Sequence, residues 1–208
     1  MKRALLLLGL VPTLFACPDD TPKECFVGDP AQAPVIEAVF RDVNNEMKPL
    51  AEGGEVPLIL PPQGGKVMVV GVRAKNLDGC PITIATSIRD TCSASIIALE
   101  NRPVTLEQTS DGWLAPVLPA ELINYSNLPA CPRANLERDV HDQPYVLTIR
   151  VEDKAGRKAE TTVEIVPTCA EPEFMEQCLC ECDDDYNLGQ DCTGERPDAG
   201  ASNSCDAG

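Results

Sequence analysis

Cys178-Leu179-Cys180-Glu181-Cys182 is the densest set of reactive side chains in this 208-residue chain. Three thiols at this spacing, as thiolates, suit zinc or copper(I). The same three, oxidised, become bridgeheads. A bridge between cysteines two apart is strained, so each would pair elsewhere. Asp183-Asp184-Asp185 follows at once and offers oxygens, but without the Asp-x-Asp-x-Asp-Gly order of a shaped calcium loop. A solvated acidic run is the plainer reading. The single histidine, His141, lies beside Asp139 and Asp142. A Ser–His–Asp set would use it as the base, yet no Gly-x-Ser-x-Gly elbow is present, and a surface-loop histidine is expected. Gly53-Gly54 and Gly64-Gly65 read as turns, not phosphate loops. Nothing in these spacings predicts a catalytic residue, a metal site or a cofactor.

The chain holds eleven cysteines, a number ordinary in exported proteins and unusual in a reducing cytosol. Lys2 and Arg3 precede a run of twelve mostly apolar residues, 4–15, and Ala16-Cys17 ends it. A helix spanning a bilayer needs about 20 apolar residues, so this run is a secretory signal rather than a span. Leu14, Ala16 and Cys17 resemble the lipobox of a bacterial lipoprotein signal. That resemblance implies removal of residues 1–16 and lipidation of Cys17 on its sulfur and amine with palmitate-class chains. Each buried CH₂ contributes about 0.8 kcal/mol, and more than one chain is needed for stable anchoring. Pro18 follows Cys17 and Asp19 comes next, which in such lipoproteins favours the outer membrane.

Setting Cys17 aside leaves an even ten, Cys25, Cys80, Cys92, Cys131, Cys169, Cys178, Cys180, Cys182, Cys192 and Cys205. The first four and the last six each form an even group, so each region can close its own bridges. The formal charge is −16. This excludes nucleic acid and anionic lipid surfaces as charge-driven partners. Residues 169–208 hold eleven acids against one Arg and form a separate acidic, cysteine-rich tail without alternating apolar residues. Such a segment is held by bridges instead of a core.

The residues that would carry these groups must be placed by strands. Met68, Val70, Val72 and Ala74 alternate, as do Ile82, Ile84 and Ile88. Residues 95–99 and 113–117 are shorter candidates, and residues 120–126 could form a short helix. Trp113 is expected in the core. Tyr145, Leu147, Ile149 and Val151 alternate with polar partners, Asp153-Lys154-Ala155-Gly156 turns the chain, and Ala159, Thr161, Val163 and Ile165 alternate again. This is a β-hairpin with one wet face.

About seven short strands separated by turns predict an all-β sandwich. Residues 145–156, Tyr-x-Leu-x-Ile-x-Val-x-Asp-x-Ala-Gly, resemble the last hairpin of immunoglobulin-like, cadherin-like and fibronectin-type-III-like bacterial modules. The resemblance spans about residues 34–166. It implies an immunoglobulin-like antiparallel β-sandwich in which Tyr145 is a corner tyrosine. It also implies Cys25–Cys80 and Cys92–Cys131 as bridges. The expected division is a signal at 1–16, a tether at 17–32, the sandwich at 33–168 and a largely irregular tail at 169–208.

The function expected is that of a lipid-anchored, non-catalytic binding or structural protein of the bacterial cell envelope. Its partners would be the membrane, through the anchor, and an envelope protein or a polysaccharide. The connection over residues 118–144 is the expected recognition surface. Two rivals stand beside this reading. One is an envelope enzyme whose site the sequence hides; the other is a metal-binding protein that uses the tail.

Overall fold

The computed structural model describes residues 25–116, 122–133, 138–192 and Cys205. Its strands are β1 (Phe26–Val27), β2 (Val35–Arg41), β3 (Met47–Pro49), β4 (Gly54–Ile59), β5 (Lys66–Lys75), β6 (Leu77–Asp78) and β7 (Ile82–Asp90). There follow β8 (Ile96–Val104), β9 (Leu106–Gln108), β10 (Leu114–Pro116), β11 (Ser126–Cys131), β12 (Tyr145–Glu152) and β13 (Lys158–Cys169). One helix among the described residues, α1 (Met175–Glu181), follows them.

The period-two hairpin forms as its sequence dictates. β12 and β13 pair antiparallel from Tyr145↔Ile165 to Glu152↔Lys158. Leu147, Ile149, Val151 and Ile165 turn inward and are buried. On the wet face Lys158 pairs with Glu152 at 3.0 Å, and Arg150 pairs with Glu160. Gly156 takes φ +79°, which the turn requires. The Asp153 carboxylate accepts the N–H groups of Ala155 at 2.9 Å and Arg157 at 2.8 Å, and that of Asp78 at 3.3 Å. Its oxygens fasten the turn to β6. Beyond β12 lie β7 and then β8, both antiparallel.

β5 organises the facing layer. It pairs with β2 along one edge and with β10 and β11 along the other. Its inner residues Met68, Val70, Val72 and Ala74 share one core with Ile84, Ile88, Leu147, Ile149 and Ile165. β4 closes one side of the sandwich, pairing parallel with β13 and then antiparallel with β5 at Leu58↔Met68. On the opposite side the Ser126 hydroxyl of β11 bonds Thr86 of β7 and Glu100 of β8. A small second cluster, Val39, Ile59, Val69 and Tyr125, packs on the outer face of β5. Gly71 leaves room for it, since a Cβ there would meet the Tyr125 ring at 3.0 Å. The molecule is thus an all-β, sandwich-like fold with a bridged C-terminal tail.

Tyr145 sits at the corner where β12 begins. Its hydroxyl donates to the Asp139 carbonyl at 2.8 Å, and the Arg138 guanidinium lies 4.7 Å above its ring. This is the bond a corner tyrosine makes.

Two expectations need correction here. The stretch over residues 118–144 is not one long loop, although residues 118–121 and 134–137 lie outside the described residues. It contains β11, where Ser126, Leu128 and Ala130 are buried on alternate positions. Among the described residues of the expected short helix over 120–126 there is a 3-10 turn, Leu122–Asn124, and Ser126 already belongs to β11. Of the residues expected in the tether, Phe26 and Val27 pair with Asp78 and Leu77.

Candidate functional site

The tail meets the sandwich along a seam that gathers most of the chemistry-bearing side chains. Five bridges run through the described residues, Cys25–Cys80, Cys92–Cys205, Cys131–Cys182, Cys169–Cys178 and Cys180–Cys192. Cys25–Cys80 is the pairing implied by the sandwich resemblance. Cys92–Cys131 does not form, and the two cysteine groups do not close separately. The physical cause is α1. It docks against the end of β11 and sets the Cys182 Cα 5.1 Å from that of Cys131. The three cysteines of the Cys-x-Cys-x-Cys run each pair elsewhere. Cys182, the residue that caps the end of α1, lies one helical turn beyond Cys178, while Cys180 is bridged to Cys192. Cys17, the lipidation candidate, lies outside the described residues.

Lys66 lies in the same seam. It is the cross-strand partner of Cys131 and is 1% exposed. Its Nζ has no hydrogen-bond partner and sits 5.3 Å from the centre of the Phe174 ring, just ahead of α1. Burial pushes its ammonium below the ordinary lysine value, opposed by the carboxylates of Glu181 and Glu171. Glu171 also accepts the Leu60 N–H at 2.7 Å, tying the segment before α1 to the end of β4. Lys66 opens β5, and the Phe174 ring of the tail covers it.

At the far end of the seam the tail backbone is held by the corner. The Val140 N–H donates to the Cys182 carbonyl at 2.9 Å, and the Asp184 N–H donates to the Asp139 carboxylate at 3.0 Å. The carboxylates of Asp139, Asp183 and Asp184 lie within 4.8 Å of one another. Burial, then the charges of Asp139 and Asp185, raise the Asp184 carboxyl above the ordinary value. Asp183 and Asp184 are half-buried, so only Asp185 of the expected solvated run is exposed. His141 is also more enclosed than a surface-loop histidine. Its side chain is 13% exposed, and its nitrogens lie 3.4 Å from Asp142 and 3.8 Å from Asp139. Among the described residues no serine hydroxyl bonds to it.

Arg138 secures this corner from inside. Its Nε donates to Asp90 at 3.1 Å, and its terminal nitrogens to Thr91 at 3.0 Å and the Pro144 carbonyl at 2.6 Å. Both Arg138 and Asp90 are buried, and Asp90 also accepts the Cys92 N–H at 2.6 Å. Trp113, expected in the core, is instead half-buried at a sheet edge. The Arg73 guanidinium stands 4.8 Å and the Lys75 ammonium 4.5 Å from its ring. It lies just before β10, whose Leu114, Ala115 and Pro116 are buried in its stead.

Two concave surfaces lie apart from the seam. A depression of about 530 Å³ opens on the wet face above Thr83, Ala85 and Asn101, walled by Arg150 and Glu160. A groove of about 510 Å³ runs between Pro61-Pro62 and Leu122-Ile123, with Arg102 and Asn127 at its polar end. Ile123, 64% exposed, stands at its rim.

The chain matches no known protein-family model and no curated protein sequence.

Proposed function

We propose that the chain is a lipid-anchored, non-catalytic binding or structural protein of the bacterial cell envelope. The observation that carries this reading is the cysteine pairing. Five bridges use ten cysteines, and the eleventh is Cys17, at the end of the signal-like segment. Bridges in this number persist in oxidising compartments, and a cysteine left over in an exported protein calls for another fate. Acylation supplies one. The fold supports a presenting role, because a bridged sandwich offers a stiff platform to a tethered module. The groove beside Ile123 belongs in part to the stretch expected to recognise a partner, and it is the surface we assign to an envelope protein or a polysaccharide.

The test compares the natural chain with Cys17→Ser in a bacterial host supplied with a clickable palmitate. The natural chain takes up label and fractionates with the outer membrane. Cys17→Ser takes up none and is recovered in the soluble envelope fraction. A Cys17→Ser chain that keeps both label and membrane residence overturns the anchor.

A further inference from the structure

We propose that the Cys92–Cys205 bridge is a thiol-exchange site, which an outside thiol opens through a mixed disulfide while the other four bridges stay closed. Exchange needs a thiolate to reach a bridged sulfur, so access decides which bridge reacts. Cys92 and Cys205 are both exposed. Cys131–Cys182, Cys169–Cys178 and Cys180–Cys192 each have at least one buried partner. Cys25–Cys80 is half-buried at both ends.

Charge separates the two more accessible bridges further. The Asp78 carboxylate lies within 4.8 Å of the sulfurs of Cys25 and Cys80. It accepts the Cys80 N–H at 3.1 Å and has no ion pair among the described residues. A thiolate approaching that bridge is repelled. Beside Cys92 the nearby carboxylate is Asp90, and the Arg138 guanidinium offsets its charge at 3.1 Å.

The turn between β7 and β8 holds Cys92 in place without the bridge. Oδ1 of Asp90 accepts the N–H groups of Cys92 at 2.6 Å and Ser93 at 3.4 Å. The Asp90 carbonyl accepts the Ala94 N–H at 3.0 Å, and the Asp90 N–H donates to the Ser95 carbonyl at 2.9 Å. None of these bonds uses the sulfur, so the turn stays formed when the bridge opens and the bridge can close again. α1 is attached by Cys131–Cys182 and Cys169–Cys178, so its docking does not depend on Cys92–Cys205 either.

The chemistry balances with a dithiol as the co-reactant. Its thiolate bonds one sulfur of the bridge, the Cys92–Cys205 bond breaks, and the displaced sulfur leaves as a thiolate. The second thiol then attacks the mixed disulfide and closes the dithiol's own disulfide. The chain gains two electrons and two protons, and the dithiol loses as many. A monothiol stops at the mixed disulfide. This site stands whether or not Cys17 carries lipid, so it does not depend on the anchored-binding reading.

The experiment exposes the oxidised, folded full chain, in detergent and without denaturant, to two probes. One is reduced glutathione. The other is a protein dithiol whose resolving cysteine is replaced by serine, so that the mixed disulfide is trapped. Free thiols are alkylated at intervals, and adducts are mapped by peptide mass spectrometry. Cys92 and Cys205 are expected to react at least about tenfold faster than the other bridged cysteines. In the double variant Cys92→Ser, Cys205→Ser, adducts should fall to the slow background rate while amides of residues 145–165 and 172–186 keep their protection. Trapping of the protein probe assigns the site to protein thiols; reaction with glutathione alone assigns it to small thiols. Equal or faster reaction at any other bridge overturns the proposal. So does reaction at Cys92 and Cys205 that appears only in step with loss of hairpin protection, because the bridge would then open by unfolding and not by access.

Discussion

The β12–β13 hairpin and the α1 tail both end up buried against the same sandwich, and they are held there by different forces. Each hairpin strand sends alternate apolar side chains into the core, and the two are paired along all of β12. Burial of one such side chain contributes about 1.5–3 kcal/mol. α1 has seven residues, and its buried ones are Cys178 and Cys180. A helix that short is unstable alone, and its attachment rests on the bridges to β13 and β11. The hairpin is stabilised by native contacts; the tail is stabilised largely by what the bridges remove from the unfolded chain. A core-held element should therefore fail with the whole fold, and a bridge-held element should fail by itself.

The largest effect is expected at the corner shared by both regions. Arg138→Ala leaves Asp90 buried without its cation and should cost about 3–5 kcal/mol. Chemical denaturation should show one transition, with hairpin and tail losing protection together. Leu147→Ala empties a fully buried position of β12 and should cost about 2–5 kcal/mol. It too should move a single midpoint. If the tail were to detach first in either variant, the corner would not couple the two regions.

Replacing both Cys131 and Cys182 with Ser separates them. The loss should be about 2–4 kcal/mol, and hydrogen exchange should place it locally. Amides of residues 172–186 should exchange freely while those of 145–165 keep their protection. Exposure of the hairpin in this variant would break the comparison, because the tail would then be part of the core's support.

The same contrast explains what could be read from the sequence. β7 and the closing hairpin were legible because an element buried on one face must alternate, and Ile84 and Leu147 do so; β5 was legible as an apolar strand, but its second buried face, at Val69, was not. β11 was not legible. Its inward residues are the small Ser126 and Ala130 around one Leu128, and Pro129 interrupts the run. Its burial comes from pairing with β5 rather than from its own hydrophobicity. The seam was hidden for a related reason. Cysteine spacing reports that bridges form but not which sulfurs meet, so Cys131–Cys182 and Cys92–Cys205 required the docked tail. Lys66 was hidden because Phe174, which covers it, lies far away in the chain.

The smallest effect tests the polar end of the seam. Asp184 carries a raised carboxyl because it is partly buried beside Asp139 and Asp185. Folding therefore favours its protonated form. Below the ordinary Asp value of about 4 the carboxyl is neutral in both the folded and unfolded chain and costs nothing. Above its raised value it is charged in both, and the folded chain bears the full penalty. Asp184→Asn removes that charge and keeps the backbone N–H that bonds Asp139. It should stabilise tail docking at neutral pH by about 0.5 kcal/mol or less, with the difference fading as pH falls below the ordinary Asp value. Tail protection followed by hydrogen exchange between pH 3 and pH 7 would measure it. A gain of the same size at both ends of that range would place the effect in packing rather than charge.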